Sequence, residues 1–209
     1  MKKYAAEFIG TFFLMATIGN VVLPPGGAGD MAPLAIGAIL MTMIFANGHL
    51  SGAHFNPAVT VAVWVRGKCP TSDLPGYIGA QLAGAVLAAL SVIFLKGSGA
   101  AKPIESEVAQ TLVAEFLYTF ALAYVVVNVA TAKGTSGNSF YGLAIGFTVL
   151  AGAYSVGAIS GGAFNPAVAV GITVLGISKV ANIWIYLVAN LAAGAVAGMA
   201  FKKLNPDDV

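Results

Sequence analysis

Lys, Arg, Asp and Glu fall along this chain in a way that few folds accept. Six stretches contain none of them: residues 8–29 (22 residues), 31–65 (35), 74–95 (22), 116–132 (17), 134–178 (45) and 180–201 (22). A helix that crosses a bilayer needs about 20 mainly apolar residues. Four of the stretches suit one crossing each. The 35- and 45-residue stretches are too long for one and do not divide cleanly into two. The 209 residues are 9% charged and 58% hydrophobic, where an ordinary soluble domain is roughly 25% charged. So few charges cannot solvate a surface. The chain reads as an all-α, multi-pass membrane protein with an additional element in two segments.

Composition removes several functions. One cysteine, Cys69, excludes an intrachain disulfide framework and a cysteine-built metal site. Two histidines, His49 and His54, are too few for a histidine-rich metal centre. No metal or cofactor is expected. A net charge of +2 gives no reason to expect nucleic acid as a partner. No nucleophile, base and oxyanion set is visible, so an enzyme is disfavoured. Met1-Lys2-Lys3 before an apolar run has the form of a signal-peptide start. The same segment recurs in mid-chain, where it cannot be one.

That recurrence is an internal repeat. Ala6-Glu7-Phe8-Ile9-Gly10-Thr11-Phe12-Phe13-Leu14 returns as Ala114-Glu115-Phe116-Leu117-Tyr118-Thr119-Phe120-Ala121-Leu122, six of nine identical at an offset of 108. Ser51-Gly52-Ala53-His54-Phe55-Asn56-Pro57-Ala58-Val59 returns as Ser160-Gly161-Gly162-Ala163-Phe164-Asn165-Pro166-Ala167-Val168, seven of nine identical at 109. Residues 77–88 match 186–197 more weakly at the same offset. One domain over 1–209 is expected, with repeats at about 1–98 and 108–203 and a join near 100–107.

Each half reads as three spans, near 5–23, 33–50 and 74–95, then 108–130, 139–158 and 180–201. Three is odd, so the second half enters from the opposite side and the repeats are inverted, an arrangement that builds transport pathways at the repeat interface. With the amino terminus inside, Lys2, Lys3, Arg66, Lys68, Lys133, Lys202 and Lys203 lie on the inner side, and Lys96, Lys102 and Lys179 on the outer. Seven against three predicts cytoplasmic termini and a plasma or inner cell membrane.

The two long stretches each hold a span, a Gly-rich turn, then Asn-Pro-Ala and a short apolar run, 56–65 and 165–177. Asn caps a helix, and Pro at the first helical position forfeits no hydrogen bond. About ten residues cover some 15 Å, half a bilayer. Two re-entrant half-helices are expected, their amino ends meeting near the midplane. Non-helical backbone at that depth is tolerated only inside protein or beside water, which predicts a wet passage. Two helix amino termini, each with about half a positive charge, would repel cations there. Asn56 and Asn165 would offer amide hydrogens, and the carbonyls of 51–55 and 160–164 would accept.

Ser51-Gly52-Ala53-His54-Phe55-Asn56-Pro57-Ala58-Val59-Thr60 and Phe164-Asn165-Pro166-Ala167, with six spans in two halves, resemble the aquaporin (major intrinsic protein) family over essentially the whole chain. The resemblance implies a right-handed bundle of six helices and two half-helices, one pore per subunit, homotetramers in a lipid bilayer, and passage of water or small neutral solutes. It implies that Glu7 and Glu115 brace the half-helix loops. It implies that His54 lines the pore. His49 is expected to be structural.

The chain departs from the family at the selectivity filter. Arg usually follows the second Asn-Pro-Ala, and here Val168 stands there. Counted as in the family, the other filter positions fall on Ile36, Ala153 and Gly162. Neither the water-selective pattern nor the glycerol-conducting one, which has Asp where this chain has Ala169, is met. A wide apolar ring would admit glycerol, urea, ammonia or undissociated metalloid acids, while a hydrophobic constriction can also hinder water. A Tyr154 or Tyr141 ring beside it would instead narrow it. Two other classes stay open. Glu7 and Glu115 could serve proton-coupled secondary transport, or the protein could be a weakly conducting structural or junctional one. Cys69, just past the first half-helix on the inner side and next to Pro70, is expected to be an incidental thiol and not a pore-mouth mercury target.

Overall fold

A computed structural model describes residues 1–97, 99, 101–105 and 107–208. The expected join at 100–107 and the repeat boundary at 98 therefore fall partly outside the described residues. Within them the chain forms eight α-helices and no strand: α1 (Lys2–Val22), α2 (Ala32–Ser51), α3 (Pro57–Arg66), α4 (Leu74–Lys96), α5 (Val108–Thr131), α6 (Tyr141–Ser160), α7 (Pro166–Val174) and α8 (Ile183–Leu204). Six are long and apolar enough to cross a membrane. Large apolar side chains such as Phe94, Val113, Leu117, Phe147 and Val188 point outward, as lipid-facing surface requires.

The short helices are α3, ten residues, and α7, nine. α3 ends one residue past expectation, at Arg66. α7 ends at Val174, not at residue 177, because the chain turns back there: Ile177 and Ser178 both donate their backbone N–H to Ile172, and Gly176 takes φ +77°. Both Asn residues cap as the sequence implied. Asn56 Oδ1 accepts from the backbone of Ala58 and Val59, and Asn165 Oδ1 from Ala167 and Val168.

The helices pair as two inverted copies. α1 packs on α4 and α2, and α5 packs on α8 and α6. Each half-helix then crosses to the other repeat, α3 lying on α8 and α7 on α4. α2 and α6 meet each other across the pseudo-two-fold axis at Gly37 and Gly146, residues 109 apart. A β-carbon at Gly37 would sit 2.8 Å from the Gly146 carbonyl oxygen, and one at Gly146 would sit 2.5 Å from that of Gly37. Bilayer lipid is as apolar as a leucine side chain, so close backbone approach through small residues holds such helices together.

The tightest of these contacts locates α3. A methyl at Gly194 of α8 would fall on the Ala58 carbonyl oxygen in the first turn of α3, and backbone has no rotamer by which to yield. Gly194→Ala is expected to displace α3 and cost about 1–3 kcal/mol, read as a lower thermal midpoint of the detergent-solubilised protein. An unshifted midpoint would show that α3 and α8 separate freely.

Polar ties close both ends. On the face carrying the termini, Lys3 pairs with Asp73 at 2.6 Å and the buried Arg66 with Asp208 at 2.6 Å, while the Arg66 guanidinium lies over the Phe201 ring. Asp208 also accepts the Lys133 backbone N–H. That bond, with Arg66 and Lys133 nearby, holds its carboxyl below the usual carboxylate range. Because the folded value is depressed, the tie is fully present above the ordinary value near 3.9 and is lost only as pH falls through the lowered one. On the opposite face Lys96 Nζ donates to the carbonyls of Asn20, Leu23 and Pro25, and Lys179 pairs with Glu105.

Candidate functional site

The turns before the half-helices are strained and must be held from outside. Ala53, Phe55 and Phe164 have φ of 51°, 50° and 48°, left-handed values that cost a side-chain-bearing residue roughly 1–2 kcal/mol each. A buried carboxylate supports each turn. Glu7 Oε1 accepts from Ser51 Oγ (2.7 Å) and His54 N (2.9 Å), and its Oε2 accepts from Phe55 N (2.7 Å) and Gln81 Nε2 (2.7 Å). Glu115 repeats the pattern. Its Oε1 accepts from Ser160 Oγ (2.7 Å) and Ala163 N (2.9 Å), and its Oε2 from Phe164 N (2.7 Å). With its amide oriented to satisfy both ends, Asn190 donates to Glu115 Oε2 and Thr119 Oγ1 and accepts from Asn165 N. Both glutamates are 0% exposed.

These bonds decide where the carbonyls go. In a trans peptide the C=O points opposite to the following N–H. The N–H groups of His54 and Phe55 point at Glu7, so the carbonyls of Ala53 and His54 point away from it. The carbonyls of Gly162 and Ala163 likewise point away from Glu115. Both sets turn towards one internal cavity of about 70 Å³, which residues 53–56, 161–163 and Asn165 help to line. At roughly 30 Å³ per water that volume holds about two waters.

Most of the cavity wall is aliphatic, built by Leu14, Ile18, Leu40, Ile44, Val59, Leu122, Val126, Ile145, Val149 and Ile172. Ile36 of α2 and Ala153, Gly162 and Val168, from the stretch running from α6 into α7, all line it. Pro57, Ala58, Pro166 and Ala167 do not. They form the buried first turns of α3 and α7. Asn56 and Asn165 do line it, and they also cross-link the two repeats. Asn56 Nδ2 donates to the Phe164 carbonyl (2.8 Å) and Asn165 Nδ2 to that of Phe55 (2.9 Å). Each amide therefore gives one hydrogen to the opposite loop and keeps one for the cavity.

Neither Tyr154 nor Tyr141 lines this cavity. Tyr154 is 54% exposed and donates to the Asp30 carbonyl on the outer surface. Tyr141 lines a separate, wider cavity of about 720 Å³ near the termini, with His49. His49 is exposed there and not packed as a structural residue would be. Between this opening and the narrow cavity lies a third space of about 300 Å³, lined by His54, Tyr77, Lys68 and Cys69 among others. Cys69 thus lines this space just past the half-helix, on the face carrying the termini, because the chain after Gly67 folds back under α3. Burial pushes its thiol pKa up, which disfavours the nucleophilic thiolate.

Several site residues have no signature in sequence. Tyr77 donates to the Ser51 carbonyl and Tyr186 to that of Ser160, fixing the ends of α2 and α6. Gln81 and Asn190 complete the two glutamate nests. All four lie in the weak third block of the repeat, whose 109-residue offset is the signal that marks them as matched pairs.

Comparison with known proteins agrees with this architecture. The family model described as Major intrinsic protein matches residues 1–201. Aquaporin NIP1-1 of Zea mays is 38% identical over 208 residues, covering 95% of this chain and 72% of that protein. Probable aquaporin NIP4-2 of Arabidopsis thaliana is 35% identical over 217 residues, covering 99% and 76%. The X-ray structure of the aquaglyceroporin from Plasmodium falciparum superposes with a TM-score of 0.81, covering 97% of this chain and 95% of that one, at 23% identity. At that identity the likeness speaks for the fold.

Proposed function

The chain belongs to the major intrinsic protein family, a family of passive membrane channels and not of enzymes, and from that premise we propose that its apolar filter passes small uncharged solutes beyond water. The observation that carries this reading is the cavity wall. Ile36, Ala153, Gly162 and Val168 bring no charge, aromatic ring or side-chain donor to the wall they share. A solute entering there loses water without gaining a side-chain hydrogen bond, and that favours glycerol, urea, ammonia or undissociated metalloid acids over ions. Cations face the amino ends of α3 and α7 in addition. Ion-coupled transport finds no support in the glutamates, since every oxygen of Glu7 and Glu115 is engaged and neither residue lines the cavity.

On this reading the subunit acts in a homotetramer in the cell membrane, with the basic face and both termini in the cytoplasm. Swelling of proteoliposomes by stopped-flow light scattering tests it with water, glycerol, urea, ammonia and arsenous acid. Gradient-driven flux of the neutral solutes, without an ion gradient and without proton leak, is the expected result. Flux that requires an ion gradient would make the protein a transporter, and no flux at all would leave a structural role.

A further inference from the structure

The ring of Ile36, Ala153, Gly162 and Val168 has a near copy at the other end of the cavity. Shifted by 109 residues, Ile36 corresponds to Ile145 and Gly162 to Ala53, both on the cavity wall. Ile44 and Val59, also on the wall, correspond to Ala153 and Val168. Both ends are therefore aliphatic, and the far ring holds nothing chemical that the near one lacks. One residue breaks the symmetry. His54 lines the cavity, and its repeat partner is Ala163.

His54 is also the point where the narrow cavity meets the 300 Å³ space towards the termini, because it lines both. Among the described residues it carries, apart from Asn56 and Asn165, the only hydrogen-bonding side chain on the narrow wall. Its ring is fixed from behind. Nδ1 lies 3.1 Å from Thr60 Oγ1, and the Tyr77 ring lies 4.9 Å away, centre to centre. Thr60 Oγ1 accepts from Gln81 Nε2 (3.0 Å), which also donates to Glu7, and it donates its one proton to the Asn56 carbonyl (3.0 Å). Towards the imidazole the hydroxyl can then only accept. Nδ1 carries the hydrogen and Nε2 keeps its lone pair.

That Nε2 has no protein partner among the described residues. It faces Gly52, where a β-carbon would come within 3.4 Å of it, and Gly52 lines the space beyond. A histidine that only filled the core would have both nitrogens engaged. Thr60 has no counterpart either, since residue 169 is Ala.

We propose that the polar selection of solutes in this channel is made at the termini-side junction, by the His54 imidazole that Thr60 positions, and not at the apolar ring. The junction offers an acceptor that water, a small O–H donor, satisfies at no steric cost, and it slows larger solutes relative to water. This rests on the passive-channel reading. His54 is the specificity-determining residue, and Thr60 is a positioning residue that acts through it.

The test is proteoliposome swelling with the full chain, using water, glycerol and urea, for the unaltered protein and for His54→Ala, Thr60→Val and Thr60→Ser. His54→Ala is expected to raise the glycerol-to-water and urea-to-water flux ratios about fivefold, the equivalent of one hydrogen bond of ordinary net strength. Thr60→Val should move both ratios the same way by a smaller factor, and Thr60→Ser, which keeps the acceptor, should leave them where they were. Unchanged ratios in His54→Ala or Thr60→Val overturn the proposal, as does a Thr60→Ser that behaves like Thr60→Val. If His54→Ala does not fold, the two Thr60 variants decide it. Absence of passive flux in the unaltered protein would instead remove the channel reading beneath it.

Discussion

Glu7→Gln and Glu115→Gln are each expected to leave little folded protein, although the change is isosteric and removes a charge from a buried site. A glutamine has one acceptor oxygen where both oxygens of the glutamate accept. Turned one way in place of Glu7, its NH2 faces the Phe55 N–H and Gln81 Nε2; turned the other way, it faces Ser51 Oγ and the His54 N–H. Either orientation strands buried donors, at roughly 1–3 kcal/mol each, and releases a turn holding residues at positive φ. Two stranded donors take several kcal/mol from a protein whose whole stability is about 5–15 kcal/mol. The thermal midpoint of the solubilised variant should fall by roughly 10 °C, and solute flux per reconstituted chain should fall with it. A stable Glu7→Gln that loses only a proton-dependent flux would point to a proton carrier instead.

Val168→Arg carries the second large effect, on selectivity instead of folding. Val168 is 2% exposed and shares the cavity wall with Ile36, Ala153 and Gly162. An arginine there adds a permanent charge and five donors, with the carbonyls of the 161–163 turn as acceptors within its loop. It narrows the ring, repels cations and gives water a partner that an apolar solute surface cannot use. Glycerol and urea flux should fall about tenfold or more relative to water, a tenfold change being only about 1.4 kcal/mol of differential barrier. Folded Val168→Arg protein with unaltered glycerol-to-water and urea-to-water ratios would remove position 168 from the filter. The ring and the His54 junction are thereby separable. Arginine at 168 lowers the ratios that alanine at 54 raises.

The spacing of charges displays the spans and the half-helices because both are set by the cost of placing charge in lipid, a cost that acts on single residues. The end of α3 is legible for the same reason: Arg66-Gly67 marks it. The end of α7 is not, since residues 173–177 are Thr-Val-Leu-Gly-Ile and no charge records that the backbone turns at Gly176. Glu7 and Glu115 are conspicuous as acids inside apolar runs. Thr60, Gln81 and Asn190 are single polar residues whose roles exist only once α3, α4 and α8 bring their partners within 3 Å or so. The position of Cys69 depends on how residues 67–73 fold back, which no periodicity encodes. Val168 and Gly162 are marked by the Asn-Pro-Ala motif beside them, whereas Ile36 and Ala153 stand in ordinary apolar runs and meet the other two only on the cavity wall.

The crossed asparagines have a consequence for how the two repeats depend on each other. Asn56 of the first repeat serves a carbonyl of the second, and Asn165 of the second serves the equivalent carbonyl of the first. Such reciprocal exchange is the mark of an isologous contact, the kind two identical subunits make across a two-fold axis. The chain therefore behaves as a dimer joined by its own backbone. Two separate half-chains would surrender translational freedom to make this contact, whereas covalent linkage presents each half to the other at high effective concentration. Damage follows the same wiring. Loss of either asparagine leaves an unmet carbonyl in the half that was not altered, so neither repeat can drift at its asparagine without the other registering it.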